Sequence, residues 1–187
     1  DLSKLVTGSF GTLVALTEVV LKVLPKKNLS NTIVIYTEDK KLVKELFEKI
    51  SSSSSEVSGA VYIPEEPKAA NYNCNKERVF KLNDLKSNVP FLALRIEGNK
   101  TSINERVKVL TDELELNKLN ISMLDVYQSV PFWKKVNNLE IFAETKNNLL
   151  RAVIPPSKGN ELMQKLENKY KYYIDWCGSL YWIEVQS

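Results

Sequence analysis

The sequence predicts an α+β fold, an antiparallel sheet with its helices gathered on one face. Two observations carry this. Short β-branched runs with an apolar period of two alternate with longer runs of period 3.6, and several of the short runs follow one another directly. The composition, 43% hydrophobic and 26% charged over 187 residues, is that of a globular chain with one ordinary core.

The elements follow in order. Gly8-Ser9-Phe10-Gly11-Thr12-Leu13 is a turn of small and hydroxyl residues, and Thr17 to Leu24 is an extended segment closed by Pro25. In that segment Val19, Leu21 and Val23 share one side, Glu18 and Lys22 the other. Lys26 to Asn28 reads as a linker, and Thr32 to Tyr36 as a strand. Between Asp39 and Ile50 the residues Leu42, Val43, Leu46, Phe47 and Ile50 form a helical stripe. The serine run Ser51 to Ser55 ends it as a joint. Val57 to Ile63 is a strand stopped by Pro64 and Pro67, and the polar stretch 65–89 is an insertion loop.

Phe91 to Glu97 is a strand with Leu92, Leu94 and Ile96 on one face and Arg95 on the other. Ser102 and Glu105 have capping-box spacing before a helix carrying Ile103, Val107, Leu110 and Leu114. Leu119 to Leu124 is a short strand. Ser129 is positioned to cap a helix with Pro131 in its first turn and Phe132, Trp133 and Val136 buried. Leu149 to Ile154 is a strand, Ser157 opens a helix with Leu162, Met163 and Leu166, and Tyr172–Trp176 and Leu180–Val185 form a hairpin around Cys177-Gly178. The order is β-α-β-β-α-β, then α, then β-α-β-β. Its first six elements match the ferredoxin-like split βαβ arrangement and its last four resemble a partial second copy. The sheet face away from the helices would be open or covered by another domain.

Several function classes fall away. The chain has no histidine, which removes the usual near-neutral base, the Ser-His and Cys-His pairs and most zinc sites. Its net charge of +3 is spread without a basic stripe and no RNP-type string accompanies the C-terminal aromatics, so no nucleic-acid partner is expected. No apolar run reaches the roughly 18 residues of a membrane helix, so no transmembrane segment is expected, and no leader pattern precedes the first motif. Cys74 and Cys177 lie far apart without CxxC spacing, which suits reduced thiols in a cytoplasmic setting. No metal site and no catalytic residue are identified.

Two groups of candidates remain. The loop residues Gly8, Ser9, Gly11, Thr12 and Leu13 offer small side chains and free amides of the kind that hold phosphate, although a plain turn is the commoner use of such a string. Arg95 and Arg151 sit inside strands, where an unpaired guanidinium is costly to bury, so each faces water, an acid or a ligand. A planar fork suits a carboxylate substrate, and a domain-boundary salt bridge is the other use.

Taken as one string, Asp1-Leu2-Ser3-Lys4-Leu5, the Gly8–Leu13 turn and Leu16-Thr17-Glu18-Val19-Val20-Leu21-Lys22-Val23-Leu24-Pro25 resemble the closing segment of the FAD-binding domain in the FAD-linked oxidase family, of the vanillyl-alcohol-oxidase type. Within that family the likeness is to the FAD-binding subunits of glycolate oxidases. It returns at Phe132-Trp133, at Leu149-Leu150-Arg151 to Pro155, and at Ile174-Asp175-Trp176-Cys177-Gly178. The resemblance implies that residues 1–25 end an FAD-binding domain and that 26–187 form a ferredoxin-like cap. It implies FAD as cofactor, touched by Gly8, Ser9, Gly11, Thr12 and Leu13, and a small 2-hydroxy-acid substrate such as glycolate, for whose carboxylate Arg95 and Arg151 are the candidates named above. Its implied partners are other oxidase subunits, including an iron–sulfur subunit, and its implied location is cytoplasmic, at most peripheral to the inner membrane. Three positions depart from the family pattern: Val14 where glycine is usual, Cys177 in place of the first glycine of Trp-Gly-Gly, and Tyr181 where arginine is frequent. The family's Pro-Gly-x-Gly and Gly-Gly-His stretches have no counterpart here and are expected outside this chain. The competing reading is a free-standing ferredoxin-like binding module, in which residues 1–25 complete the sheet.

Overall fold

The computed structural model describes residues 1–23, 27–64, 89–143, 145–167 and 169–185. Seven strands form one antiparallel sheet in the order β4-β1-β3-β2-β6-β7-β5. They are β1 (Leu29–Tyr36), β2 (Gly59–Ile63), β3 (Phe91–Gly98), β4 (Ile121–Leu124), β5 (Asn148–Val153), β6 (Tyr172–Asp175) and β7 (Leu180–Val185). β1 and β3 lie inside the sheet and bury residues on both faces, Ile33, Ile35, Leu92, Leu94 and Ile96 on one and Val34, Tyr36, Phe91 and Ala93 on the other. β5 ends one edge and is exposed along most of its length.

Three helices cover one face: α2 (Lys40–Ser52), α3 (Lys100–Glu113) and α5 (Gly159–Leu166). Their stripes, Val43, Leu46, Phe47 and Ile50 from α2, Ile103 and Leu110 from α3, Met163 and Leu166 from α5, meet Ile33, Ile35, Leu92, Leu94 and Ile96 of the sheet. Each large side chain buried there contributes up to ~1.5–3 kcal/mol. Tyr62, Tyr172 and Tyr181 belong to the same core, and burial pushes the Tyr172 and Tyr181 phenols up, Tyr181 to about 12.

The helices gather on one face as expected, with one exception. α4 (Val126–Asn137) crosses the opposite face and sets Phe132, Trp133 and Val136 against Val34, Val61 and Ala93. The turn after it adds Ile141 and Phe142, the latter stacked on Tyr173 at 5.8 Å. That face is therefore covered over β1, β3 and β2.

Local starts differ from the expected ones for a common reason, that an earlier acceptor reaches the free amides first. Asn99, not Ser102, caps α3, its side chain accepting from Ser102 N at 2.8 Å. Asp125, not Ser129, caps α4 through Tyr127 N and Gln128 N, and the Gln128 side chain accepts from Asp125 N at 3.1 Å, a capping box. Ser129 instead sits inside the helix, where its hydroxyl joins those of Ser30 (2.9 Å) and Thr32 (2.7 Å). Pro131 falls within α4, not in its first turn. The helix expected from Ser157 begins as a 3-10 turn at Pro156–Lys158 and continues as α5.

The leading segment stands apart. It holds one short helix, α1 (Leu2–Val6), with no buried residue, and Thr17–Val23 joins no strand of the described sheet. The alternation there resembles a strand, yet no strand among the described residues supplies a ladder. Its apolar side chains face solvent, Phe10 at 99% exposure and Val20 at 90%. The insertion loop expected at 65–89 lies, except for Val89, outside the described residues, as do Leu24, Pro25 and Cys74.

Candidate functional site

The opposite face of the sheet carries a polar node at the edge of α4. Arg95 lies there, on the side away from Leu92, Leu94 and Ile96 as its strand parity requires. Its register partner on β2 is Gly59, which has no side chain, so the guanidinium and the Trp133 indole settle over that gap. The Arg95 Cζ sits 4.9 Å from the Trp133 ring centre. Its Nε donates to Ser58 Oγ at 3.0 Å and its Nη2 to the Ser58 carbonyl at 3.1 Å. A Glu97 carboxylate oxygen lies 3.4 Å from Nε.

Trp133 is fixed in turn. The residue is 4% exposed, its Nε1 donates to Thr32 Oγ1 at 2.8 Å, and Phe132 meets it edge-on at 5.3 Å. Beside Trp133 opens a hollow of about 450 Å³, walled by Lys27, Ser30, Arg95, Glu97, Val130 and Lys134 among others. Three cations against one carboxylate favour an anion there. Arg95 Nη1 has no protein acceptor among the described residues.

Asp175 lies within electrostatic reach of Arg95. Burial raises its carboxyl above the usual range, and its Trp176 N–H bond and the charge of Arg95 partly offset this. Asp175 Oδ1 accepts from Trp176 N at 2.7 Å. The turn that follows is left-handed at three successive residues, Trp176 (φ 51°), Cys177 (φ 51°) and Gly178 (φ 90°). Only the glycine adopts this freely, so two residues are held under strain. Burial raises the Cys177 thiol.

Arg151 is placed elsewhere. It stands on edge strand β5 opposite Trp182 of β7, with Cζ 5.9 Å from that ring and 5.2 Å from the ring of Trp176. It shares a sheet face with Arg95, but β2, β6 and β7 lie between their strands. Four inter-strand steps separate them by roughly 20 Å. The two arginines therefore cannot grip one small carboxylate together.

The glycine loop lies apart from both. Gly8 (φ 81°), Phe10 (φ 51°) and Gly11 (φ 78°) are left-handed, and a Cβ built on either glycine meets nothing within 4 Å. Ser9 N and Thr12 N are used in turns, donating to the Val6 and Ser9 carbonyls. The amides of Gly8, Gly11 and Leu13 have no acceptor among the described residues.

The parity of β3 sets Arg95 on this face, while its contacts with Ser58 and Trp133 leave no trace in the local pattern. A lone glycine entering a strand was the available signal for Gly59, since it marks close approach of a neighbour. The Asp175 environment had no such signal.

Among the described residues no group of three or more His, Cys, Asp or Glu is placed to hold a metal, and no helix is long and apolar enough to cross a membrane. No family model matches the chain, and no curated protein matches it.

Proposed function

We propose that this chain is the substrate-side cap of an FAD-dependent oxidoreductase subunit that oxidises glycolate or a related 2-hydroxy acid, with residues 1–25 the closing segment of the FAD-binding domain. The observation that carries the reading is the leading segment. Residues 1–23 present a row of apolar side chains to solvent and add nothing to the sheet core, as a piece belonging to a neighbouring domain would. A free-standing module would use that segment to complete its sheet, and the segment joins no strand of the described residues.

The rest of the reading draws support from the same structure. The order β4-β1-β3-β2 with α2 and α3 between its strands fits a ferredoxin-like unit, and β5, α5, β6 and β7 fit a partial second one. The free amides at Gly8, Gly11 and Leu13 fit a phosphate-bearing cofactor at one point, while the remainder of an FAD site would come from residues outside this chain. Bound FAD would supply the hydride acceptor. Arg95 Nη1, at the cationic hollow, suits the substrate carboxylate. Other oxidase subunits, including an iron–sulfur subunit, would take the electrons onward, in a cytoplasmic enzyme.

The test is the polypeptide read through from the coding sequence upstream of Asp1. It should contain a Pro-Gly-x-Gly loop within roughly one domain's length, ~200 residues, and should purify with bound flavin and reduce an artificial acceptor with glycolate. Gly11→Val should lower its flavin content, and Arg95→Lys should raise KM for the hydroxy acid more than it lowers kcat. A reading frame opening at Asp1, or an extended polypeptide that binds no flavin, contradicts the proposal.

A further inference from the structure

The outer edge of β5 has properties that the oxidase reading does not use. Ile154 N donates to the Ser179 carbonyl at 2.9 Å, continuing the β5–β7 ladder, so even-numbered residues bond inward. By the alternation of an antiparallel ladder, the N–H and C=O groups of Leu149, Arg151 and Val153 point outward. No described strand pairs with them.

The strand, Asn148-Leu149-Leu150-Arg151-Ala152-Val153, carries no lysine, proline or bulge to blunt that edge. Leu149, Leu150 and Val153 are exposed. Its one charge, Arg151, makes no hydrogen bond or ion pair with any described residue. Two indoles hold the guanidinium, and the Trp176 indole, 56% exposed, is set there by the strained left-handed turn.

We propose that this edge is an interaction surface that accepts an extended apolar strand of another polypeptide bearing a carboxylate side chain opposite Arg151. Charge decides against a second copy of this chain. Antiparallel pairing of β5 with itself centred on Leu150, Arg151 or Ala152 sets the two Arg151 side chains on one face, directly opposite or one diagonal step apart. β5 has no acid to separate them. A partner carboxylate instead gains an exposed guanidinium already oriented by two indoles, with its donor fork free for two hydrogen bonds. The proposal needs no flavin, so it stands or falls separately from the oxidase reading.

The probes are two blocked peptides of alternating valine and threonine, one with a central glutamate and one with a central lysine, titrated into the full chain. The glutamate peptide should shift the amides of Leu149, Arg151 and Val153, perturb tryptophan fluorescence, and bind roughly fivefold or more tighter than the lysine peptide. Arg151→Glu should reverse that order. Val153→Pro removes only an outward N–H, so it should abolish binding of both while the circular dichroism stays unchanged. Equal affinity for the two peptides, no binding of either, or shifts away from β5 would overturn the proposal. So would self-association of the chain, seen by sedimentation and relieved by Val153→Pro.

Discussion

Gly59→Val tests how Arg95 and Trp133 are seated. A Cβ at this position lies 3.0 Å from Trp133 Cζ3, 3.1 Å from Cη2 and 3.4 Å from Arg95 Nε, so valine cannot enter without moving the indole. The gain from replacing a strand glycine is about 0.5–1 kcal/mol. Against it stand overpacking of ~1–3 kcal/mol, a disturbed Trp133–Thr32 hydrogen bond of ~0.5–1.5 kcal/mol, and a loosened cation–π contact of ~0.5–2 kcal/mol. The net is a destabilisation of about 1–6 kcal/mol. Gly98→Ala is the control: its Cβ comes no nearer than 3.5 Å to Ser102 Oγ, an ordinary contact, so it should stay within ~0.5 kcal/mol of wild type or exceed it. Urea unfolding followed by tryptophan fluorescence measures both. If Gly59→Val is as stable as Gly98→Ala, with the native emission unchanged, the tight seat deduced for Trp133 is wrong.

Two further outcomes concern pH. Asp175 has a raised folded-state pKa, so its ionisation disfavours the folded state at neutral pH, and the stability its protonated form contributes is lost as pH rises through the folded value. Asp175→Asn keeps an oxygen for Trp176 N, so at pH 7 it should be at least as stable as wild type. That difference should vanish as pH falls below the reference value of 3.8; a variant less stable at pH 7 than at pH 4 relative to wild type contradicts the sign. The phenols of Tyr172, Tyr173 and Tyr181 are also raised by burial. Their stabilising share is whole below the unfolded value of 10.0 and is lost toward about 12, where Tyr181 titrates in the fold. Ultraviolet titration should show these phenols ionising together with loss of far-ultraviolet circular dichroism, and smooth ionisation near 10.0 in a folded chain would refute their burial.

Much of this architecture is written in local periodicity. The parity of Phe91 to Glu97 placed Arg95 on the face away from Leu92, Leu94 and Ile96, and the stripes of α2 and α5 are those that reach the core. What local pattern cannot hold is the order of strands across the sheet. Arg95 and Arg151 look equivalent along the chain, and only the order β3-β2-β6-β7-β5 separates them. Nor does the stripe of Phe132, Trp133 and Val136 say which face α4 covers, since Ala93 and Val61 make an apolar seat on the side that Arg95 marked as polar. The extended pattern of Thr17 to Val23 failed as a strand because a strand needs a ladder partner, which the segment's own residues cannot provide.

On the proposed reading, residues 1–23 are foreign to the unit formed by the sheet and its helices, and belong with a flavin-binding neighbour. The unfolding free energy of the chain with and without those residues tests it most directly. With no buried side chain in α1 and with Phe10, Val20 and Leu21 in solvent, the deletion should change stability by no more than ~0.5 kcal/mol. A loss of ~2 kcal/mol or more would make the segment an integral part of this fold and would rule out its belonging to a neighbouring domain.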